Sequence, residues 1–361
     1  MLHSNGSFGT RIAYTNPDGM PHGQVFIPLI KEHFMQRRIF CATATLVASL
    51  GFAGTGMAQT KWDFATAYAA SNFHSKNNEQ FVKDVDAATQ GKLKITPHFG
   101  ASLFKMPEIK RAVQTGNAQM GEFFMVSFQN ESQIFGVDGL PFLVNNYDDA
   151  FKLYQAQKPA LQKLLDKQGQ VLLYAVAWPP QGIYTKKPIN SAADLKGMKW
   201  RVYSPTTARI GELVGAQPVT IQEAELSQAL ATGVVEGLIT SSATGADNKL
   251  FENLKYYYNV QAWIPKNAVV VSKKAFGALS KPEQDAVLKA AAVAEARGWM
   301  ESREVDARSI ATLKAGGMQV LEASPQLKAD LAKVGDTVIK EWLDKAGPEG
   351  KAVLDAFKTA K

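Results

Sequence analysis

Apolar residues recur along this chain in two alternating periods. Trp62–Thr66 alternates apolar and polar positions like a strand. Asn72–Thr89 then places Phe81, Val82, Val85 and Ala88 at helical spacing, and Gly91 ends it. Leu93, Ile95, Pro97 and Phe99 alternate as the next strand. Pro107 opens the helix EIKRAVQT and Gly116 closes it. A strand follows at Gln119–Phe124, a helix at Asp149–Lys167 and an apolar strand at Val171–Ala177. Strands and helices alternating at these lengths predict an α/β fold with a largely parallel sheet.

Trp178-Pro179-Pro180-Gln181-Gly182 breaks the pattern, because two prolines and a glycine force an extended segment. It reads as a crossing into a second domain, with Trp263-Ile264-Pro265-Lys266-Asn267 as the return and Val269–Val271 rejoining the first sheet. Between the crossings, residues 195–240 form one α/β unit. Ser191 caps a short turn, AADLK, that Gly197 stops. Met198–Tyr203 is a strand with Trp200 and Val202 on one face and Lys199, Arg201 and Tyr203 on the other. A helix from Thr206, a short strand at Val219 and Ile221, a helix at Glu223–Thr232 and a strand at Val234–Thr240 complete it. Pro282–Leu313 is a long alanine-rich helical pattern of about 45–50 Å, enough to brace both domains. The partition expected is 59–180 plus 267–305 as domain I and 181–266 plus 306–361 as domain II, with 318–358 packed mainly on domain II.

The first 58 residues read differently. Met35-Gln36-Arg37-Arg38, the apolar run Ile39–Phe52 and the small residues around Met57-Ala58 form a secretory signal peptide, 35–58, cleaved after Ala58. The run is too short to span a bilayer as a helix. Residues 1–34 show no periodicity and read as an upstream extension before a true start at Met35. The single cysteine, Cys41, lies inside the signal, so the mature chain has no disulfide, thiolate or cysteine metal site. A periplasmic location follows.

Net charge is +7, with basic and acidic residues interspersed and no run of five like charges, which gives nucleic-acid binding little support. A hydrophobic content of 46% is enough to build a packed core. His74 and His98 have no metal-ligand spacing, no phosphate loop or dinucleotide fingerprint is present, and no nucleophile–base pair stands out. Neither a metal nor a cofactor is expected, and no catalysis. Glu223 and Glu225, two apart on a helix, share no face. What does stand out is Arg201, held on a strand beside aromatic side chains, with Thr240, Ser241 and Ser242 at the end of a neighbouring strand. A guanidinium fork with directed hydroxyls suits a small carboxylate.

The ordered residues Asp194-Leu195-Lys196-Gly197, Lys199, Arg201-Val202, Gly215-Ala216, Pro218, Glu225, Ala229-Leu230, Gly233-Val234-Val235 and Gly237 resemble the signature region of the DctP family. These are the extracytoplasmic solute-binding proteins of tripartite ATP-independent periplasmic (TRAP) transporters. The resemblance extends more weakly from Trp62 onward. It implies a two-domain periplasmic-binding-protein-like fold, a ligand cleft between the domains, hinge closure and a long helix spanning both. It implies a small organic acid as ligand and the small and large membrane permease subunits as partners; presentation of the ligand to a membrane sensor kinase is the alternative, and a secreted enzyme the remote one.

The resemblance also assigns roles. The family's arginine at the Arg201 position pairs bidentately with the ligand carboxylate. Sialic-acid binders carry a second arginine twenty positions earlier; Gln181 stands there, which argues against sialic acid and against a dicarboxylate held by two arginines. Thr240 matches a polar ligand-contacting position, and Phe124 replaces an acidic or polar residue of the sialic-acid binders. Tyr68, Phe124, Trp178, Tyr203 and Trp263 fall at strand ends or crossings, where the cleft is expected. Together they favour a monocarboxylate with a flat or apolar part, such as an aromatic 2-keto acid or a uronate.

Overall fold

The computed structural model describes Gln59–Ala360; the upstream extension expected at 1–34 and the signal peptide expected at 35–58 lie outside the described residues. In chain order the first part runs β1 (Thr60–Ala65), α1 (Phe73–Ala88), β2 (Leu93–His98), α2 (Met106–Thr115), β3 (Met120–Phe124), α3 (Tyr147–Lys167) and β4 (Gln170–Ala177). There follow β5 (Gln181–Thr185), β6 (Lys199–Val202), α4 (Pro205–Leu213), β7 (Gln217–Thr220), α5 (Leu226–Ala231), β8 (Gly237–Ser241), α6 (Ser242–Asp247) and β9 (Tyr256–Tyr258). The chain ends with β10 (Lys266–Ser272), α7 (Lys273–Gly277), α8 (Lys281–Ala315), β11 (Gln319–Leu321) and α9 (Pro325–Thr359).

Local chemistry explains many of these limits. Asn72 caps α1 by accepting from His74 N at 2.9 Å. Ser204 caps α4, with Pro205 at its first position. Gly116 ends α2 at φ 80°, a conformation glycine adopts without steric cost.

The strands form two sheets, β2-β1-β3-β10-β4 and β11-β9-β5-β8-β6-β7. Both are largely parallel, as the alternation of strands and helices predicts, with one reversed strand in each. In the first, β1 is parallel to β2 and β3, but β10 runs antiparallel to β3 and β4. In the second, β6 is parallel to β7 and β8, but β5 is antiparallel to β8 and β9. The reversed strands are the two that follow direct crossings. Because β3 and β4 end at the cleft, a chain returning from the other sheet without a crossover helix must enter against them. The crossings themselves lie side by side: Trp178 N donates to Pro265 O at 2.8 Å, and Gln181 N to Trp263 O at 3.0 Å.

Two of the clustered apolar cores flank the first sheet and two the second. Helix α8, 35 residues long, buries Val287, Ala290, Ala291 and Ala294 against α1 and β4 and Leu313 near β9 and β11, so it touches both sheets. The C-terminal helix departs from expectation. Leu327, Leu331 and Val338 of α9 join a core of the second sheet, but Trp342, Val353, Leu354 and Phe357 pack into the core beneath α3. The hand-over falls between Val338 and Trp342, ahead of the bend at Gly347 (φ 58°) and Pro348, and the residues beyond the bend stay with the core beneath α3.

Candidate functional site

A cavity enclosing about 390 Å³ of space, mouth included, opens between the two sheets. From the first sheet's side it is lined by Tyr68, Met106, Phe124, Ser127 and Trp178. From the second it is lined by Gln181, Arg201, Tyr203, Gln222, Glu223, Thr240, Ser241 and Thr244. Seven of the eight sequence-selected site residues therefore converge on one space. The eighth, Trp263, does not line it. Trp263 is buried in the core of the second sheet, against the crossing strand.

Arg201 reaches the cavity because β6 alternates: Trp200 and Val202 fill the core while Arg201 turns the other way. The residue is 4% exposed. Its Nε donates to Ile221 O at 2.9 Å, which fixes the plane of the guanidinium. The guanidinium carbon lies 4.7 Å from the centre of the Tyr203 ring, a cation–π distance. Burial pushes the pKa of Arg201 down, against the opposing pull of Tyr203 and Glu223. No ion pair among the described residues involves it.

The polar side chains around the arginine are held by one another. Tyr203 donates from its hydroxyl to Gln181 Oε1 at 2.8 Å, and Gln181 Nε2 donates to Pro179 O at 3.0 Å. Gln181 is thus more than a turn residue: β5 pairs it with Ser241 and its neighbour Gly182 with Thr240, and Gln181, Thr240 and Ser241 all line the cavity at the ends of these adjacent strands. Gly182 is required there, because a Cβ would meet Tyr257 Cε2 at 2.2 Å. The helix after β8 is capped by Ser241, whose Oγ accepts from Thr244 N at 3.0 Å, which leaves Thr240 available to the cavity. Across the cleft, Phe124 and Tyr203 are 5.4 Å apart and tilted 56°.

Sequence reasoning missed Glu223. Its carboxyl lines the cavity from the turn after β7, and burial pushes its pKa up to about 7 against the pull of Arg201. Its spacing from Glu225 carried no such signal, because what brings it to the arginine is the pairing of β6 with β7. Also missed were the polar contacts joining the two sides. Asn72 Nδ2 donates to Asp247 Oδ2 at 2.8 Å, Thr206 Oγ1 to Gln129 Oε1 at 2.8 Å, and Ser127 Oγ to Tyr203 O at 3.1 Å. His74 and Glu122, which no spacing rule connects, lie together under the cavity floor.

Two α/β lobes with a polar cavity between them are the architecture of the two-domain solute-binding proteins. The chain belongs to the DctP family, bacterial extracellular solute-binding protein family 7, which it matches over residues 64–345. Among solved structures it is similar to DctP6, an extracytoplasmic solute receptor of Bordetella pertussis binding pyroglutamic acid. That similarity is 54% identity over 83% of this chain and 100% of the other, with a TM-score of 0.82. A marine metagenome TRAP solute-binding protein specific for pyroglutamate is 44% identical, covering 83% and 99%, also at 0.82. A solute-binding protein of Albidiferax ferrireducens is 25% identical over 84% of this chain and 88% of its own. The family is one of extracytoplasmic receptors for small organic acids, not of enzymes. No helix of the described residues is long and apolar enough to cross a membrane.

Proposed function

We propose that this protein is the periplasmic receptor of a TRAP transporter for a small cyclic monocarboxylate, with pyroglutamate as the leading ligand, and that Arg201 binds the carboxylate. The observation that carries this is a buried guanidinium, oriented by Ile221 O, facing a cavity with no ion-pair partner among the described residues. A buried cation left unpaired is costly, and an anionic ligand supplies the missing charge. The relatives that bind pyroglutamate narrow the acid, since 54% and 44% identity exceeds the 25% shared with a receptor holding β-D-galacturonate. Gln181, Thr240 and the aromatic walls select the rest of the ligand. The signal peptide delivers the chain to the periplasm. There the two domains close on the ligand and pass it to the small and large permease subunits.

A thermal-shift screen of Gln59–Lys361 tests this reading. Pyroglutamate, aromatic 2-keto acids, uronates and C4-dicarboxylates are compared with neutral sugars and amines. A ligand at 100 times its Kd adds about 2.7 kcal/mol, which raises Tm by several degrees. The expected result is a shift with pyroglutamate that is absent in Arg201→Ala. Stabilisation by neutral sugars or amines alone, with no acid active, would overturn the proposal.

A further inference from the structure

The hydrogen-bond polarity of the cavity is set from beneath its floor. Glu122 on β3 is 1% exposed, and its carboxylate accepts from Thr66 Oγ1 at 2.5 Å, Asn78 Nδ2 at 2.9 Å and Asn267 Nδ2 at 2.9 Å. His74 Nδ1 stands 3.4 Å away. Burial alone would raise the pKa of Glu122, but these partners outweigh it and hold the carboxyl below its ordinary value. Such a carboxylate accepts and cannot donate. Asn267 must therefore aim its amide nitrogen at Glu122 and its Oδ1 the opposite way.

That oxygen receives the Trp178 indole N–H at 2.9 Å and faces the Tyr68 hydroxyl at 3.3 Å. An amide oxygen has no hydrogen to give, so Tyr68 is the donor. With its one hydrogen engaged, Tyr68 can present only lone pairs to the cavity. Burial, with Glu223 and Glu122 adding to it, raises its pKa well above the usual phenol value, so it stays neutral. A second relay repeats the logic on the other wall. Gln181 Nε2 is committed to Pro179 O, Oε1 therefore accepts the Tyr203 hydroxyl, and Tyr203 too faces the cavity as an acceptor.

We propose that Glu122, acting through Asn267 as a positioning residue, fixes Tyr68 as a hydrogen-bond acceptor and so makes the site select carboxylates with an N–H or O–H donor beside the carboxylate over isosteres with an acceptor there. This rests on the carboxylate reading of Arg201. A ligand N–H or O–H beside the carboxylate meets a Tyr68 lone pair, whereas a keto oxygen in that place meets an acceptor and gains no hydrogen bond from it.

The test is calorimetric titration at neutral pH with two pairs of monoanions: pyroglutamate against its ring-oxygen counterpart 5-oxotetrahydrofuran-2-carboxylate, and lactate against pyruvate. The donor member of a pair is expected to bind at least about tenfold tighter. Tyr68→Phe removes one acceptor without changing charge and is expected to lower that ratio at least about threefold, Tyr203 remaining in place. Glu122→Gln lets Asn267 turn over and is expected to lower the ratio, whereas Glu122→Asp restores it; a merely structural role would move stability but not the ratio. If Glu122→Gln fails to fold, Tyr68→Phe decides alone. Equal affinity within each wild-type pair, or a ratio unchanged in Tyr68→Phe, overturns donor selection and leaves the arginine reading standing. No binding of any of the four acids overturns both.

Discussion

The ring of Tyr203 lies 4.7 Å from the guanidinium carbon of Arg201, and its hydroxyl is tied to Gln181 at 2.8 Å. One side chain thus supports the cation from its face and orients the amide with its edge. The two contributions separate by mutation. Tyr203→Phe keeps the ring and leaves Gln181 Oε1 without its donor, a cost of about 1–2 kcal/mol in ligand affinity. Tyr203→Leu also loses the cation–π contact and should cost about 0.5–2 kcal/mol more. Titration calorimetry with pyroglutamate checks the order; equal affinity in the two variants would show that the ring does not support the arginine.

Arg201→Lys is not a mild change here. Lysine lacks the Nε–H that fixes the guanidinium to Ile221 O and the planar fork that meets two carboxylate oxygens at once. Arg201→Ala is expected to cost about 2–5 kcal/mol of binding, and Arg201→Lys to recover less than half of it. Full affinity in the lysine variant would mean that charge alone, not the fork, holds the ligand.

Glu223 makes binding pH-dependent. Its pKa is pushed up to about 7 in the free protein, with Arg201 as the countering charge. A ligand carboxylate on Arg201 takes up that countering charge and adds a negative one, so the bound-state pKa rises further and binding takes up a proton. The sign follows by linkage: affinity increases as pH falls from above the bound-state value towards about 7, and is flat below it. Kd measured between pH 6 and 9, in buffers of different ionisation enthalpy, checks both the slope and the proton uptake. Glu223→Gln should give a flat profile; an affinity that increases with pH would contradict the argument.

Asp138 and Lys266 are a fully buried pair, 3.2 Å apart, at the point where the return crossing enters β10. The Lys266 N–H also donates to Asp138 Oδ2 at 2.8 Å. Burial shifts both pKa values towards the neutral forms, raising that of Asp138 and lowering that of Lys266. Asp138→Asn strands the ammonium and should destabilise by about 3–5 kcal/mol in urea unfolding. The double variant Asp138→Leu with Lys266→Met removes both charges and should recover most of the loss. A double variant as unstable as the single would place the energy in packing rather than in the ion.

Asn72 and Asp247 join the two sides of the cleft at 2.8 Å. If the cleft must open for release, Asp247→Ala should speed ligand dissociation about five- to tenfold while leaving association nearly unchanged. Stopped-flow fluorescence reports both rates, with Trp178 in the cavity wall as the probe. An unchanged dissociation rate would exclude this contact as a latch.

Periodicity made the elements of this protein legible. The strands near Trp62, Leu93 and Val171, the helices closed by Gly91 and Gly116, the paired crossings at Trp178 and Trp263 and the 35-residue α8 all follow from spacing, caps and breakers, which are local properties of the chain. The outward turn of Arg201 was legible for the same reason, since strand alternation puts it opposite Trp200. The largely parallel direction of both sheets was legible from the alternation of strands and helices, but the reversal of β5 and β10 was not, because hydrophobic alternation is the same for parallel and antiparallel neighbours. Nor was the split allegiance of α9, whose apolar stripe fits either lobe and changes core between Val338 and Trp342.

The chemistry beneath the site belongs to the tertiary structure alone. Glu122 and Asn267 are 145 positions apart, and Tyr68 and Asn267 are 199 apart. Glu223 meets Arg201 only because β7 pairs with β6. No local rule reads a hydrogen-bond relay across such distances. A carboxylate's partners, and so the direction in which each donor points, exist only once the strands that carry them are side by side.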